Sequence, residues 1–276
     1  MKYTLSEKYP KKRAFITGAA SGFGQALSYE LAKDGWQIAM ADINEEGLQT
    51  TKKEIERLGG TALSFVLDVA NKVQYETVFN NYMDTTDGID ILFNNAGVGD
   101  GGAFEEYGLD NWEWLIGINL MSVVYGCHFF LPVFKQQKAG CIVNTASAAA
   151  IACAPEMGAY NTTKAAVVAI SETLYGELMP HNIHVSSVQP WFFKTNVIQH
   201  ARGGEEVRKA AKKMIDKSGL TAQEVAETVL HEVGKEKLYV ILPKIGRRMW
   251  HMKRLIPTKF RKRIVATWYK QHNRKK

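Results

Sequence analysis

A tyrosine and a lysine one helical turn apart are the residues of this sequence best suited to acid–base chemistry. Tyr160 and Lys164 lie four positions apart at the start of a helical pattern, which places the phenol and the ammonium on one helix face. An isolated phenol has a pKa of about 10, and a neighbouring cation favours the phenolate and lowers that pKa. Such a tyrosine can accept a proton from an alcohol or donate one to a ketone. The spacing alone is common in helices, so it indicates a site only together with other residues.

Two further polar residues could assist this tyrosine. Ser147 follows a predicted strand, thirteen positions before Tyr160, and could hydrogen-bond the reacting oxygen from its loop. Asn119 lies in an otherwise apolar helical pattern. Its amide is either a satisfied core group or the holder of a water molecule that links Lys164 to solvent.

A glycine-rich turn follows the first predicted strand and opens a helix. Residues 17–24 read TGAASGFG. Glycines there permit a tight turn and a close approach of the backbone to a pyrophosphate, which the free N–H groups of the helix N-terminus would bind. Because a strand precedes the turn and a helix follows it, the sequence predicts a dinucleotide site. Its predicted contacts are Gly18, Ser21, Gly22, Phe23 and Gly24.

A carboxylate at the end of the second predicted strand indicates which dinucleotide the site would bind. Asp42 follows Gly24 by eighteen positions and could accept hydrogen bonds from both ribose hydroxyls. It would repel a 2′-phosphate, and neither the turn nor positions 43–44 offer an Arg or Lys to neutralise one. NAD is therefore predicted over NADP. The alternative is that Asp42 only caps the turn that leads into the next helix.

The ends of the following strands supply the remaining predicted cofactor contacts. Parallel strands bring their carboxyl ends to one edge of a sheet, where such sheets bind ligands. The predicted contacts at this edge are Ile43, Asp68, Val69, Asn95, Ala96 and Gly97.

Alternation of apolar runs with helical patterns predicts the fold class. Seven near-continuous apolar runs, typical of strands buried on both faces, lie at 13–17, 36–41, 63–67, 89–93, 141–145, 184–188 and 238–242. Helical patterns fall between them near 23–34, 45–58, 71–86, 110–136, 158–180 and 221–234. This order predicts a doubly wound α/β parallel sheet in one domain, residues 1–245.

Composition excludes several other classes. The chain has 276 residues, 46% of them hydrophobic and 23% charged, which is typical of a globular protein and not of a disordered or fibrous one. Three cysteines without metal-ligand spacing predict neither a disulfide framework nor a metal site. We find neither a signal peptide nor an apolar run of the length that spans a bilayer, so we expect a cytoplasmic protein.

A basic segment ends the chain. Residues 246–276 contain twelve Lys and Arg and no Asp or Glu, whereas the rest carries 23 basic and 28 acidic residues. Apolar residues recur at helical spacing within it, at Met249, Met252, Ile256, Phe260, Ile264 and Trp268. Such an amphipathic helix either lies in an anionic membrane interface or packs its stripe on the body or a sister subunit. Nucleic-acid binding is not expected, because no recognition motif accompanies the charge.

These motifs together resemble the classical short-chain dehydrogenase/reductase family, from residue 11 to about 245. The resemblance is carried by residues 17–24, by NNAG at 94–97, and by the tetrad Asn119, Ser147, Tyr160 and Lys164. It implies a Rossmann-type sheet of about seven strands in the order 3-2-1-4-5-6-7, with dimers or tetramers built on the two apolar helices near 110–136 and 158–180. It implies Tyr160 as acid/base, Ser147 as stabiliser of the reacting oxygen, Lys164 on the nicotinamide ribose and Asn119 in a proton relay. It also implies cofactor contacts from Pro190, Phe193 and Thr195.

The chain departs from the family pattern after the sixth strand. Where the family has Pro-Gly, this chain has Pro190 and Trp191, so Trp191 either forms a substrate wall or points into the core. The predicted substrate residues are Ala148, Ala149, Pro155, Trp191 and Phe192, with a wider wall at 98–99, 150–151 and 153–154 and a lid near 197–208. These surfaces are apolar and lack a fixed cation, which predicts a neutral, hydrophobic substrate.

The expected activity is NAD-dependent interconversion of a hydrophobic secondary alcohol and its ketone, without a metal. Two alternatives stay open at this point. One is an NADP(H)-dependent carbonyl reductase. The other is a non-catalytic dinucleotide-binding protein with a regulatory or membrane-tethered role.

Overall fold

The computed structural model describes residues 4–195, 201–202 and 205–272. Within them the strands are Arg13–Thr17 (β1), Gln37–Asp42 (β2), Thr61–Val66 (β3), Ile91–Asn94 (β4), Gly140–Thr145 (β5), Ile183–Pro190 (β6) and Tyr239–Leu242 (β7). The helices are Thr4–Lys8 (α1), Gly22–Ala32 (α2), Glu45–Arg57 (α3), Lys72–Thr85 (α4), Leu109–Ile116 (α5), Ser122–Gln137 (α6), Ala149–Ala152 (α7), Gly158–Leu178 (α8), Glu205–Ser218 (α9), Ala222–Gly234 (α10), Lys244–Leu255 (α11) and Pro257–His272 (α12).

The strands form one parallel sheet in the order β3-β2-β1-β4-β5-β6-β7. This confirms the predicted fold class and strand order. The register places Thr17 beside Ala41, and Asn94 beside Asn144. The carboxyl ends of β1, β2, β4 and β5 are therefore level, and the loops that follow them meet at one edge.

Alternating residues of each strand supply two cores, one on each face of the sheet. Ile16 of β1 packs with Leu27 of α2 and Val229 of α10. Its neighbour Phe15 points to the other face and packs with Phe130 of α6, their ring centroids 5.0 Å apart. Because both faces are covered, the strands have no polar side, which explains their near-continuous apolar sequences.

The structure differs from the sequence prediction in its shorter and less regular helices. The helix predicted at 110–136 is α5 and α6 joined by a π-helical turn, Gly117–Met121. Helix α7 has four residues, too few to show a periodic pattern. Helix α9 was not predicted either; only its first turn falls within the predicted lid near 197–208.

One helical stretch of the described residues, Leu109–Gln137, is long and apolar enough to cross a bilayer. This corrects the expectation that no segment reaches that length. In the fold the stretch packs on α4, β4 and β5. Its place in the layer that covers the sheet accounts for its apolar composition.

The described part of the basic segment, residues 246–272, lies in α11 and α12, which fold back on the body. Phe260 is buried in a cluster with Ile151 and Ile241, against which Met249, Met252 and Ile264 also pack. Of the predicted stripe, Ile256 lies at the corner between the helices and is 41% exposed. The structure thus supports the packing alternative for the middle of the stripe, where Phe260 is buried, whereas Met249, Met252, Ile264 and Trp268 are half-buried. The domain boundary at 245/246 stays a prediction.

We predict that Leu27→Ala lowers the free energy of unfolding by about 3 kcal/mol, because it removes a fully buried side chain from the core between α2 and the sheet. The matched control is Leu109→Ala, whose side chain is 78% exposed and should change stability by less than about 0.5 kcal/mol. Denaturant unfolding measures both. Equal effects would show that Leu27 is not in a packed core.

Candidate active site

A cavity of about 770 Å³ opens at the carboxyl ends of the strands. Most predicted site residues border it, namely Gly18, Ser21, Gly22, Phe23, Asp42, Ile43, Asp68, Val69, Asn95, Ala96, Gly97, Ser147, Ala148, Ala149, Tyr160, Lys164, Pro190, Trp191, Phe192, Phe193 and Thr195. Gly24, Asn119 and Pro155 are not among the bordering residues. The first two act from behind the surface, as described below, whereas the prediction of Pro155 as a substrate contact is not supported by its position.

The glycine turn is shaped by contacts that exclude side chains. A Cβ on Gly24 would lie 2.1 Å from the carbonyl oxygen of Gly18, and Gly18 itself has φ of +68°. Asn95 holds the turn, because its Nδ2 donates to the carbonyl oxygens of Thr17 (3.0 Å) and Gly18 (3.3 Å). Gly24 therefore allows α2 to start directly against the turn, which leaves a backbone cradle of the kind that a dinucleotide pyrophosphate requires.

Asp42 has two roles in this geometry. Its Oδ2 accepts from the backbone N–H of Ala20, and its Oδ1 accepts from that of Asn44, each at 3.0 Å. These two hydrogen bonds agree with the alternative that Asp42 caps the local turn. The carboxylate also borders the cavity, and each oxygen has a further lone pair for a ligand hydroxyl. Lys164 is the one Lys or Arg among the described residues that border the cavity.

Tyr160 and Ser147 meet at the cavity. Burial raises the pKa of the Tyr160 phenol, and a hydrogen bond with Ser147 opposes this rise. The sequence predicted that Lys164 would lower this pKa. In the structure Lys164 Nζ instead donates to the carbonyl oxygen of Thr145 at 2.9 Å and lies 5.9 Å from the centroid of the Tyr160 ring. Burial is thus the largest effect on the pKa of this phenol, and the lowering predicted for Lys164 together with an oxidised nicotinamide stays a prediction.

Lys164 is buried, and Gly97 makes room for it. Burial lowers the pKa of its ammonium from 10.5 to about 8, so it keeps its charge at neutral pH. A Cβ on Gly97 would lie 3.2 Å from Lys164 Nζ and 3.1 Å from Asn119 Oδ1. The lysine, the asparagine and the loop after β4 thus converge on one point.

Asn119 sits in the π-helical turn, a local irregularity that often marks functional sites. Its Oδ1 accepts from the N–H of Val98 and its Nδ2 donates to the carbonyl oxygen of Val98, each at 2.8 Å. Both polar atoms of the Asn119 amide are therefore hydrogen-bonded, as the first alternative expected. These bonds hold the loop that follows the NNAG motif. Its predicted part in a proton relay stays a prediction.

Aromatic side chains form part of the cavity wall near Ser147. Trp191 and Phe192 border the cavity with ring centroids 5.6 Å apart, so the choice left open for Trp191 is decided in favour of a cavity wall. From the wider predicted wall, Val98, Gly99 and Ala154 border the cavity, whereas Ala150, Ile151 and Cys153 are not among its lining.

Ala201, which borders the cavity, belongs to the predicted lid. Further lining residues were not predicted, among them Asp100, Ile118, Ala152, Met157 and Ile215. They come from the π-helical turn, from α7, from loops and from α9, at positions where no motif marks a site. Of the predicted lid, residues 197–200 and 203–204 lie outside the described residues.

Parallel strands in this order, with a glycine cradle and a cavity at their carboxyl edge, define a Rossmann-type dinucleotide-binding fold. A family model described as short chain dehydrogenase matches residues 12–206. The chain belongs to this family of oxidoreductases, which confirms the resemblance found in the sequence.

Several known proteins are similar to this chain. The cyclohexanol dehydrogenase of Acinetobacter sp. (strain SE19) is 31% identical over 209 residues, which cover 75% of this chain and 83% of that protein. A short chain dehydrogenase/reductase from Burkholderia phymatum, solved in complex with NAD, matches with a TM-score of 0.83 and 29% identity over 88% of this chain and 92% of that one. A short-chain dehydrogenase from Sphingobium yanoikuyae, in complex with NADPH, matches with a TM-score of 0.74 and 25% identity over 87% and 91%.

We predict that Lys164→Met stabilises the cofactor-free protein by about 1 to 3 kcal/mol at neutral pH, because it removes a buried charge. As the pH rises through about 8 toward 10.5, native Lys164 releases its proton while the unfolded chain keeps it. The stability of the wild type therefore rises relative to the variant, and the difference shrinks.

Denaturant unfolding at neutral pH and at about pH 9.5 measures this difference. The control is Lys72→Met, an exposed lysine that begins α4. A gap between Lys164→Met and wild type that is the same at both pH values would show that the buried ammonium titrates normally.

Proposed function

We propose that the protein is an NAD-dependent oxidoreductase that interconverts a hydrophobic secondary alcohol and its ketone. The observation that carries this proposal is that Ser147, Tyr160 and Lys164 border one cavity, with Lys164 buried in its wall. The glycine cradle and Asp42 border the same cavity, so a dinucleotide held there reaches the tyrosine.

Each residue of this group has a separate task. When bound, the nicotinamide cofactor supplies hydride acceptance or donation. Ser147 and Tyr160 hydrogen-bond the substrate oxygen, and Tyr160 takes its proton during oxidation or returns it during reduction. The raised pKa of the phenol keeps it protonated at neutral pH, which suits reduction of a ketone. In the oxidation direction the charge of Lys164 favours the phenolate, and Asn119 serves the proton relay.

The proposed preference for NAD follows from the negative charge of Asp42 at the cavity. Asp42 is an anion at the cavity, and Lys164, the one bordering cation among the described residues, lies at the catalytic group. A 2′-phosphate beside Asp42 would meet repulsion without a compensating cation. The relative solved with NAD fits this preference, whereas the one solved with NADPH shows why NADP(H)-dependent reduction is the second candidate.

The proposed substrate class follows from the apolar residues in the cavity wall. Ala148, Ala149, Trp191 and Phe192 offer apolar surface near Ser147 and Tyr160, which favours a neutral ring or chain over a charged substrate. The relative named cyclohexanol dehydrogenase makes cyclohexanol a suitable first compound in a screen.

A dimer or tetramer in the cytoplasm completes the proposal. Helices α6 and α8 keep partly uncovered apolar residues, among them Tyr125, Phe129, Val168 and Ile170. A sister subunit would bury these surfaces. The cysteines, Cys127, Cys141 and Cys153, are all free, as is usual in a reducing compartment.

We expect Tyr160→Phe to lower kcat by about 1,000-fold, because it removes the proton donor and acceptor. Affinity for NADH, measured by calorimetry, should not change. The control is Tyr175→Phe in the same helix, whose side chain is 42% exposed. The assay follows absorbance of reduced cofactor with NAD and a panel of hydrophobic secondary alcohols. Turnover by Tyr160→Phe at the rate of the control would refute the acid/base role.

Asp42→Asn tests the cofactor preference. The ratio of kcat/KM with NAD to kcat/KM with NADP should fall by about 10- to 100-fold, because a neutral amide loses the charged hydrogen bonds to the ribose and no longer repels the 2′-phosphate. If both values fell by the same factor, Asp42 would act only through its bonds to Ala20 and Asn44.

A further inference from the structure

The helix that follows Ser147 is short and borders the cavity. The Ser147 hydroxyl oxygen accepts from the N–H of Ala149 at 3.1 Å, and its carbonyl oxygen accepts from the N–H of Ala150 at 3.0 Å. Ser147 therefore closes the first turn of α7. A four-residue helix has almost no stability of its own, so its position depends on what it packs against.

The C-terminal segment supplies that support at the other end of α7. Lys253 Nζ of α11 donates to the carbonyl oxygen of Ala150, and an Arg261 guanidinium nitrogen of α12 donates to that of Cys153, each at 2.8 Å. Carbonyl groups at a helix C-terminus lack N–H donors within the helix, so donors from outside the helix satisfy them.

Apolar packing joins the same elements. Phe260, between the two cations in sequence and 3% exposed, packs with Ile151 of α7 and Ile241 of β7. Ile151 faces away from the cavity, whereas its neighbour Ala152 borders it. One face of α7 thus rests on the C-terminal helices and another forms the substrate wall.

Arg261 differs from the basic residues beside it. Its Nε and second guanidinium nitrogen are buried and find no acceptor within the described part of the chain. Lys262 and Arg263 are exposed. The positive charge of Arg261 is therefore held against the end of α7, while its neighbours remain in solvent.

We propose that α11 and α12 form a clamp that holds α7 and, through it, Ser147 and the substrate wall. Lys253, Phe260 and Arg261 are its positioning residues. The inference rests on the proposed function, since it assigns the clamp to the substrate half of that site. The glycine cradle and Asp42 are held by Asn95 and backbone groups instead, so the clamp acts on substrate use and not on cofactor binding.

Hydrogen exchange tests the clamp without any substrate. The double variant Lys253→Met, Arg261→Met keeps much of the apolar stems and removes both donors. The amides of Ala150, Ile151, Ala152 and Cys153, which bond back to residues 147–149, should exchange about tenfold faster than in wild type. Peptides that cover residues 17–32 should not change. The control is Lys262→Met, Arg263→Met, which removes the same charge from exposed positions.

Kinetics provide the second measurement. We expect kcat/KM for the alcohol to fall about 10- to 100-fold in the double variant, because Ser147 and the wall lose their fixed position. The dissociation constant of NADH should match that of the control. The single variant Lys253→Arg, in which Arg261 is unchanged, should keep most of the wild-type activity, because arginine also supplies a donor to the end of α7.

The outcomes are distinct. Exchange and kinetics equal to those of the control would overturn the clamp. A loss of NADH affinity parallel to the loss of activity would also overturn it, because that pattern indicates general destabilisation. Faster exchange in α7, with a wild type that turns over no alcohol, would support the clamp as a structural device and refute the proposed function.

Discussion

The site depends on keeping one ammonium charged inside the protein. Lys164 is buried, and its lowered pKa is the cost of removing its charge from water. The carbonyl oxygen of Thr145, at the end of β5, accepts its hydrogen bond, and Gly97 leaves the space that Lys164 Nζ and Asn119 Oδ1 occupy. A Cβ at position 97 would crowd both atoms, and Asn119 of the π-helical turn holds the adjacent Val98 through its side chain.

The two halves of the cavity are built in different ways. On the cofactor side, backbone groups and one amide side chain fix the turn, because any side chain at Gly18 or Gly24 would collide with neighbouring backbone. On the substrate side, a short helix and aromatic residues form the wall, and their positions depend on packing with elements distant in sequence. The first half is thus determined by local chain geometry and the second by tertiary contacts. Relatives can share the first and differ in the second, which agrees with sequence identity of about a third and a shared fold.

Long and regular elements could be predicted from the sequence, whereas short ones could not. Each predicted strand overlaps an observed one, because burial on both faces leaves a continuous apolar run as its signature. Most residues of the glycine turn and the strand ends were predicted as well, since their spacing reflects the geometry of one supersecondary unit. Helix α7 and the lining residue Met157 were not, because a helix of four residues or a loop has no period.

The sequence by itself determined the doubly wound sheet, the glycine cradle and the identity of the four polar residues at the carboxyl edge. These follow from residue types at fixed local spacings. Only the tertiary structure decided how the residues act on each other. Burial raises the pKa of Tyr160 although a cation lies one turn away, Trp191 borders the cavity, and the basic helices bury Phe260 against the body. The physical reason is that desolvation and packing depend on atoms brought together from many parts of the chain, which no local pattern records.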